Sequence, residues 1–206
     1  MRAIGLLEQD RDRTHDAHGD PSFQESSLIV WHDIKQGVGG VWRTSQEPVN
    51  QVSHSCFGLF NKPGLRFRDN FTEHPFPADA RGPHHMAPKE NLRLDLDRMA
   101  ISAQFPDAEA DLTFTDLHPR WDYLQLLKLV GPDGHQGAHL EMAGRITGTV
   151  RLGDQRYDID CFGHRDRSWG SRDWTTLRAV RWWSIVFGPD LAIQMTAHGH
   201  ANGQHG

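Results

Sequence analysis

Two cysteines in 206 residues, Cys56 and Cys161, are too few for a disulfide framework, and both stand in apolar, strand-like surroundings that suit buried reduced thiols. Basic surplus is missing as well. The formal charge is -5, the pI is near 6.2 and no lysine-rich run occurs, so neither a nucleic-acid footprint nor a polybasic membrane patch is expected. Apolar runs such as Leu28 to Trp31 and Leu124 to Val130 fall far short of a bilayer, and no membrane span is expected. The first twenty residues lack a signal-peptide core and a small-residue cleavage site, turning at once to Glu8, Asp10, Arg11, Asp12 and Arg13, which predicts a cytoplasmic protein. There is no nucleotide loop, no serine elbow and no flavin fingerprint. Redox and hydrolytic chemistry therefore rank below other readings, and no cofactor is expected.

What is present is a chain with 37% apolar and 24% charged residues, enough to bury a core as one globular domain or one and a fraction. Fourteen histidines are many, but they are scattered without a His-Glu-x-x-His pair or a Cys-x-x-Cys, so no metal site is expected.

Alternation of apolar and polar residues predicts strands through most of the chain. Residues 1–24 read as a poorly ordered lead-in. Ser27 to Ile34 and Val41 to Thr44 flank Gly37, Gly39 and Gly40 and read as a first hairpin; Val49 to Phe60 and Leu65 to Phe71 follow around Asn61-Lys62-Pro63-Gly64. Residues 72–91, with four prolines and a glycine, read as a long loop of the lid or binding type whose His74, His84 and His85 are candidates for ligand contact. Leu92 to Leu96, Met99 to Phe105 and Asp111 to Leu117 alternate again, and the strand breaks at His118-Pro119. Trp121 to Val130 fits a short helix or an extended crossing equally. A hairpin joins Arg145–Leu152 to Tyr157–Cys161, and another joins Arg181–Phe187 to Leu191–Thr196. The sum is an all-β, antiparallel barrel or sandwich.

One stretch gathers charge and aromatics: Asp160 to Trp174, with His164, Arg165, Asp166, Arg167, Trp169, Arg172, Asp173 and Trp174 around Gly163 and Gly170. Partial burial and charge partners shift carboxylates and imidazoles toward a working pH, so such a stretch suits proton transfer. It suits equally a structural knot of ion pairs with arginine stacked on tryptophan. The pleat leaves two arrangements. If it continues from Tyr157, Ile159 and Cys161, then Arg165, Arg167 and Trp169 point inward; a bulge at Gly163 would bring in His164, Asp166 and Ser168.

Residues 163–174 resemble the Gly-His-Arg-Asp-His-Ser-Trp-Gly-x-Arg-Asp-Trp signature of bacterial AttH-like proteins related to carotenoid 1,2-hydratase (hydroxyneurosporene synthase). Glu25-Ser26-Ser27 with Trp31, the Gly39-Gly40 hairpin and Leu112 to Pro119 extend the likeness over most of residues 25–196. The resemblance implies lipocalin-like (calycin-type) β-barrels in tandem: a barrel domain over 25–174 and the start of a second, incomplete β domain over 175–206. Relatives continue beyond Leu191–Thr196, so either a shortened chain or a homo-oligomer that completes the barrel is expected. Arg167 stands where relatives often carry histidine, which weakens a proton relay there.

The family points to a lyase, a hydratase, dehydratase or isomerase working on an alkene of an isoprenoid- or steroid-like substrate. In that reading Asp166 is the acid, His164 its proton partner, His118 a further candidate, Trp169 and Trp174 the aromatic walls, and Arg172 and Asp173 orienting groups; Trp31 and Trp42 complete the apolar lining. The alternative is a non-catalytic binding protein whose barrel carries an apolar small molecule while the charged stretch seals one end.

Overall fold

The computed structural model describes residues 12–122, 124, 137–172 and 177–200. Among these, thirteen strands alternate with short turns: β1 (Phe23–Asp33), β2 (Val38–Glu47), β3 (Val52–Asn61), β4 (Arg66–Pro75), β5 (Arg81–Gly82), β6 (His85–Lys89), β7 (Leu92–Asp95), β8 (Ala100–Phe105), β9 (Ala108–Asp116), β10 (Ala138–Leu152), β11 (Gln155–Ser171), β12 (Leu177–Gly188) and β13 (Leu191–His200). The first eleven form one antiparallel sheet in the order β4-β3-β2-β1-β11-β10-β9-β8-β7-β6-β5, and β12 pairs with β13 as a separate hairpin. No described helix is long and apolar enough to cross a membrane. The all-β reading holds.

The sheet curls until its ends meet. Gln46 Nε2 on β2 donates to the carbonyl of Ala80 (2.9 Å), Ser53 Oγ on β3 to that of Pro88 (2.9 Å), and Lys89 on β6 pairs with Asp69 on β4 (3.1 Å). Inside lie Ile29, Trp42, Phe57, Leu94, Ile101 and Leu112, all nearly inaccessible. Their alternation along each strand follows the two-residue period of the pleat, which gives one dry face and one face free to carry polar groups.

Residues 72–91 differ from the loop expected. β4 runs on to Pro75, and β5 and β6 pair across Arg81–Met86 and Gly82–His85. The prolines misled because Pro77 and Pro83 fall between strands, while Pro88 sits where the β6–β7 register shifts between Met86 and Lys89 and no ladder bond is asked of it. Trp121 to Val130 falls almost wholly outside the described residues; Asp122 makes an isolated bridge to Leu140.

β11 settles which parity faces inward. Its pairing with β1 and β10 runs without a register shift past Gly163, so there is no bulge. Arg165, Arg167 and Trp169 therefore point into the curl, opposite Ile29, Ser27 and Glu25 of β1, and His164, Asp166 and Ser168 point out. Gly163 serves close approach instead: a Cβ there would meet the Val30 carbonyl at 2.6 Å and Ile146 Cδ1 at 2.4 Å.

Two wholly buried guanidinium groups need anions, because an unpaired buried charge is strongly unfavourable. Arg165 forks onto Asp12 (3.0 and 2.9 Å) and also reaches Asp116 (3.1 and 3.2 Å), and Arg120 bridges the same two carboxylates. Arg167 makes a short contact to Glu25 and donates to the carbonyls of Ser26 (3.0 Å) and Arg13 (2.8 Å). Glu25 in turn receives Arg81 (2.6 Å) and His15 (2.8 Å), and the His15 ring stacks on Trp169 at 3.9 Å. Residues 12–17 are thus tied across the sheet by ions. The hairpin β12–β13 turns Trp182, Ser184 and Gln194 toward the large sheet and leaves Trp183, Ile185, Phe187, Leu191 and Met195 exposed on its other side.

Burial alone would raise the Glu25 carboxyl, but Arg167, His15 and Arg81 overcome it and bring it from 4.5 to about 2. A depressed carboxyl stabilises the fold above its unfolded value, and that stabilisation is lost as the pH falls toward the folded value. Denaturant midpoints should fall steeply in the wild type between pH 4.5 and 2. Glu25→Gln, measured at pH 7, should lower stability by about 3–5 kcal/mol and flatten that acid limb. Gly163→Ala should lower it by about 1–3 kcal/mol through overpacking, read in the same denaturation experiment.

Candidate functional site

The outward face of β10 and β11 carries the remaining members of the charged stretch. In register, Glu141 faces Asp166, Ala143 faces His164, and His139 faces Ser168. Two carboxyls directly opposite one another on neighbouring strands would repel. His139 lies between them, its Nε2 2.8 Å from Asp166 Oδ2 and 3.2 Å from Glu141 Oε1. On the far side Glu141 Oε2 meets His164 Nε2 at 2.5 Å. Asp166, His139, Glu141 and His164 are thus joined in a continuous hydrogen-bonded chain.

The β12–β13 hairpin roofs this chain. Trp182 Nε1 donates to Glu141 Oε1 (3.1 Å), and the Trp182 ring meets His164 edge to face at 5.0 Å. Between hairpin and sheet lies a cleft of about 270 Å³ lined by His118, Pro119, Trp121, Glu141, Met142, Ala143, His164, Ser184, Ala192, Ile193 and Gln194. That is near the lower end of the range for small-molecule pockets.

Electrostatics fix where the proton rests. Burial would lower the His139 imidazole, but the Asp166 and Glu141 carboxyls raise it from 6.5 to about 9, so it is an imidazolium at neutral pH. Asp166 is held below its ordinary range: burial opposes this, and the His139, Arg172 and His164 charges prevail. The acid expected at Asp166 is therefore a carboxylate whose proton sits on its neighbour. One oxygen of that carboxylate, Oδ1, is buried without a hydrogen-bonding partner among the described residues.

His139, Glu141 and Asp166 also offer three ligand atoms within 4.8 Å of one another, the set that could hold a metal ion. Those atoms already bond to each other, and the imidazolium fills the place of a cation. A divalent ion would have to displace its proton.

Of the residues singled out in the sequence, His118 and His164 line the cleft, and Asp166 stands behind Glu141 and His139. Trp169, Trp31 and Trp42 belong to the interior instead, at 4%, 4% and 0% exposure. Arg172 donates its backbone N–H to Ser22 and adds its charge to the field at Asp166. Asp173 and Trp174 lie outside the described residues. Among the loop histidines, His84 pairs with Asp97 (2.9 Å) and His85 approaches the Asp79 carbonyl (3.0 Å), and none lines the cleft. Both cysteines are free; burial pushes the Cys161 thiol up to about 12.

Sequence reasoning missed Glu141, His139, Trp182 and Gln194. It began β10 at Arg145, seven residues late, although Ala138-His139-Leu140-Glu141-Met142 carries the same alternation.

An antiparallel β fold of lipocalin type, with a polar cleft on the outer face of its signature strand, is what these features define. The chain belongs to the family described as Domain of unknown function (DUF7064), which matches residues 8–206. Comparison with curated proteins found no match. Among solved structures, it is similar to an AttH-like protein from Nitrosomonas europaea (TM-score 0.64, 12% identity, covering 100% of this chain and 68% of that one). It is also similar to kievitone hydratase from Nectria haematococca (TM-score 0.53, 11% identity, 100% and 68% covered). At these identities the likeness establishes the shared fold.

A raised histidine stabilises the fold below its unfolded value, and the contribution is lost as the pH rises through the folded one. Thermal melts of the wild type should therefore lose stability between pH 6.5 and about 9. His139→Gln should be less stable than wild type at pH 6, with the gap narrowing toward pH 9 and above.

Proposed function

We propose that this protein is a hydratase-type lyase that adds water across, or removes it from, an alkene in a hydrophobic isoprenoid- or steroid-like molecule. The observation that carries the reading is the buried Asp166–His139–Glu141–His164 chain, covered by Trp182 and opening into a cleft that His118 and Trp121 also line. The kievitone hydratase neighbour supports it at the level of fold.

Alkene hydration needs a proton donor, a surface that tolerates positive charge, and a base for the water. The Glu141–His164 pair supplies the proton, and the π electrons of the alkene form the new C–H bond, leaving a cation on the more substituted carbon. The indole of Trp121 and the carboxylate charge beside it stabilise that cation. The water oxygen bonds to the cationic carbon and gives up its proton to His118. The balance is one water added, with the proton returned to the donor pair through solvent. Asp166 acts through His139, as a positioning residue that holds the charge state of the chain.

The test is ¹⁸O uptake from labelled water, followed by mass spectrometry, with kievitone and short prenylated phenols as probes. Wild type should add one labelled oxygen. Asp166→Asn should slow the uptake by about 10²–10⁴-fold, the usual weight of positioned acid–base groups, while binding the same probes within about threefold. Binding with no labelled product in the wild type would contradict catalysis and favour the carrier reading instead.

A further inference from the structure

We infer that Gln194 makes the cleft selective for an amphipathic alkene bearing a hydroxyl group, not for a plain hydrocarbon chain. This rests on the reading of the cleft as a substrate site and narrows the substrate class. Gln194 stands on the inward side of β13, opposite Ser184 of β12, and both residues line the cleft with Glu141 and His164. Its Oε1 and its Nε2 are both buried, and neither has a partner among the described residues. Within the hydrogen-bonded chain only Asp166 Oδ1 is likewise unmatched among the described residues, and Asp166 does not line the cleft.

A buried amide with both ends unmatched is unfavourable, and a ligand that satisfies both recovers the loss on binding. One group can accept from Nε2 and donate to Oε1 at once: a hydroxyl. An aliphatic chain would strip the remaining solvent from Ser184 and His118 and return no hydrogen bond to them or to Gln194. A site built to hydrogen-bond a hydroxyl discriminates strongly against the analogue lacking it, because its own polar groups are then left unpaired. The volume of about 270 Å³ suits a ligand, or the head of one, of a single ring and a short branched chain. The hairpin that roofs the site is then also what reads the substrate, since β13 alone supplies the free amide.

The experiment compares 4-(3-methylbut-2-enyl)phenol with its methyl ether, which keeps the alkene and the shape but loses the donor. Calorimetry on the wild type should give a Kd at least about tenfold lower for the phenol. Gln194→Leu and Gln194→Met should bring the ratio close to one by weakening the phenol and sparing the ether, with thermal melts confirming that both variants are folded. Equal affinities in the wild type, a preference that survives in both variants, or no binding of either probe would overturn the inference. Labelled-water uptake on the same samples separates the two claims. Preference without uptake contradicts the hydratase reading alone, and uptake without preference contradicts the role of Gln194 alone.

Discussion

Arg167 is wholly buried, and it can remain so only because Glu25, on the neighbouring strand, reaches it with a carboxylate that Arg81 and His15 also hold. That ion cluster fixes more than a single side chain. Because side chains alternate along a strand, placing Arg167 inside forces Arg165 and Trp169 inside with it and His164 and Asp166 outside. A slip of one residue would turn His164 and Asp166 into the curl and two guanidinium groups out of it, so charge as well as apolar packing specifies the register of β11. The Arg165 fork onto Asp12 and Asp116 repeats the same constraint two residues earlier.

With the parity fixed, the outer face acquires its chemistry from a repulsion. Glu141 and Asp166 are set opposite each other, and His139 relieves the strain by holding a proton between them. The arrangement stores one positive charge beside two carboxyls within reach of a cleft, where burial strengthens every electrostatic interaction. His164 extends the chain to the cleft lining and Trp182 covers it from the hairpin. Of the two readings that the sequence left open, the ion-pair knot describes the inner face of the strand, and the proton-transfer site is the one we propose for its outer face.

Much of the fold was legible because alternation is a local property: each hairpin from Phe23 to Asp116 can be read from its own residues, apart from the prolines of 72–91, which suggested a loop where β5 and β6 form. The site was half legible. His164, Asp166 and His118 belong to dense, chemically marked motifs. Glu141 and His139 stand in a bland run, and they matter only because β10 lies in register with β11, which is a long-range fact. Trp31, Trp42 and Trp169 lie away from the cleft, which the sequence could not show for the same reason: a tryptophan in a strand shows its size but not its face, and these three face inward. Gln194 could not be found from sequence at all, since what marks it is the lack of a partner in the folded chain.

The central claim is that alternate positions of β11 have separate tasks, structure inside and chemistry outside. The most direct measurement is a scan of conservative substitutions from His164 to Trp169, recording melting temperature and labelled-water uptake per folded molecule for each. The account predicts a sawtooth: changes at 165, 167 and 169 lower the melting temperature and leave the specific rate near wild type, while changes at 164 and 166 remove the rate with far smaller thermal effects. Parallel loss of stability and rate at every position, or the opposite phase, would contradict it.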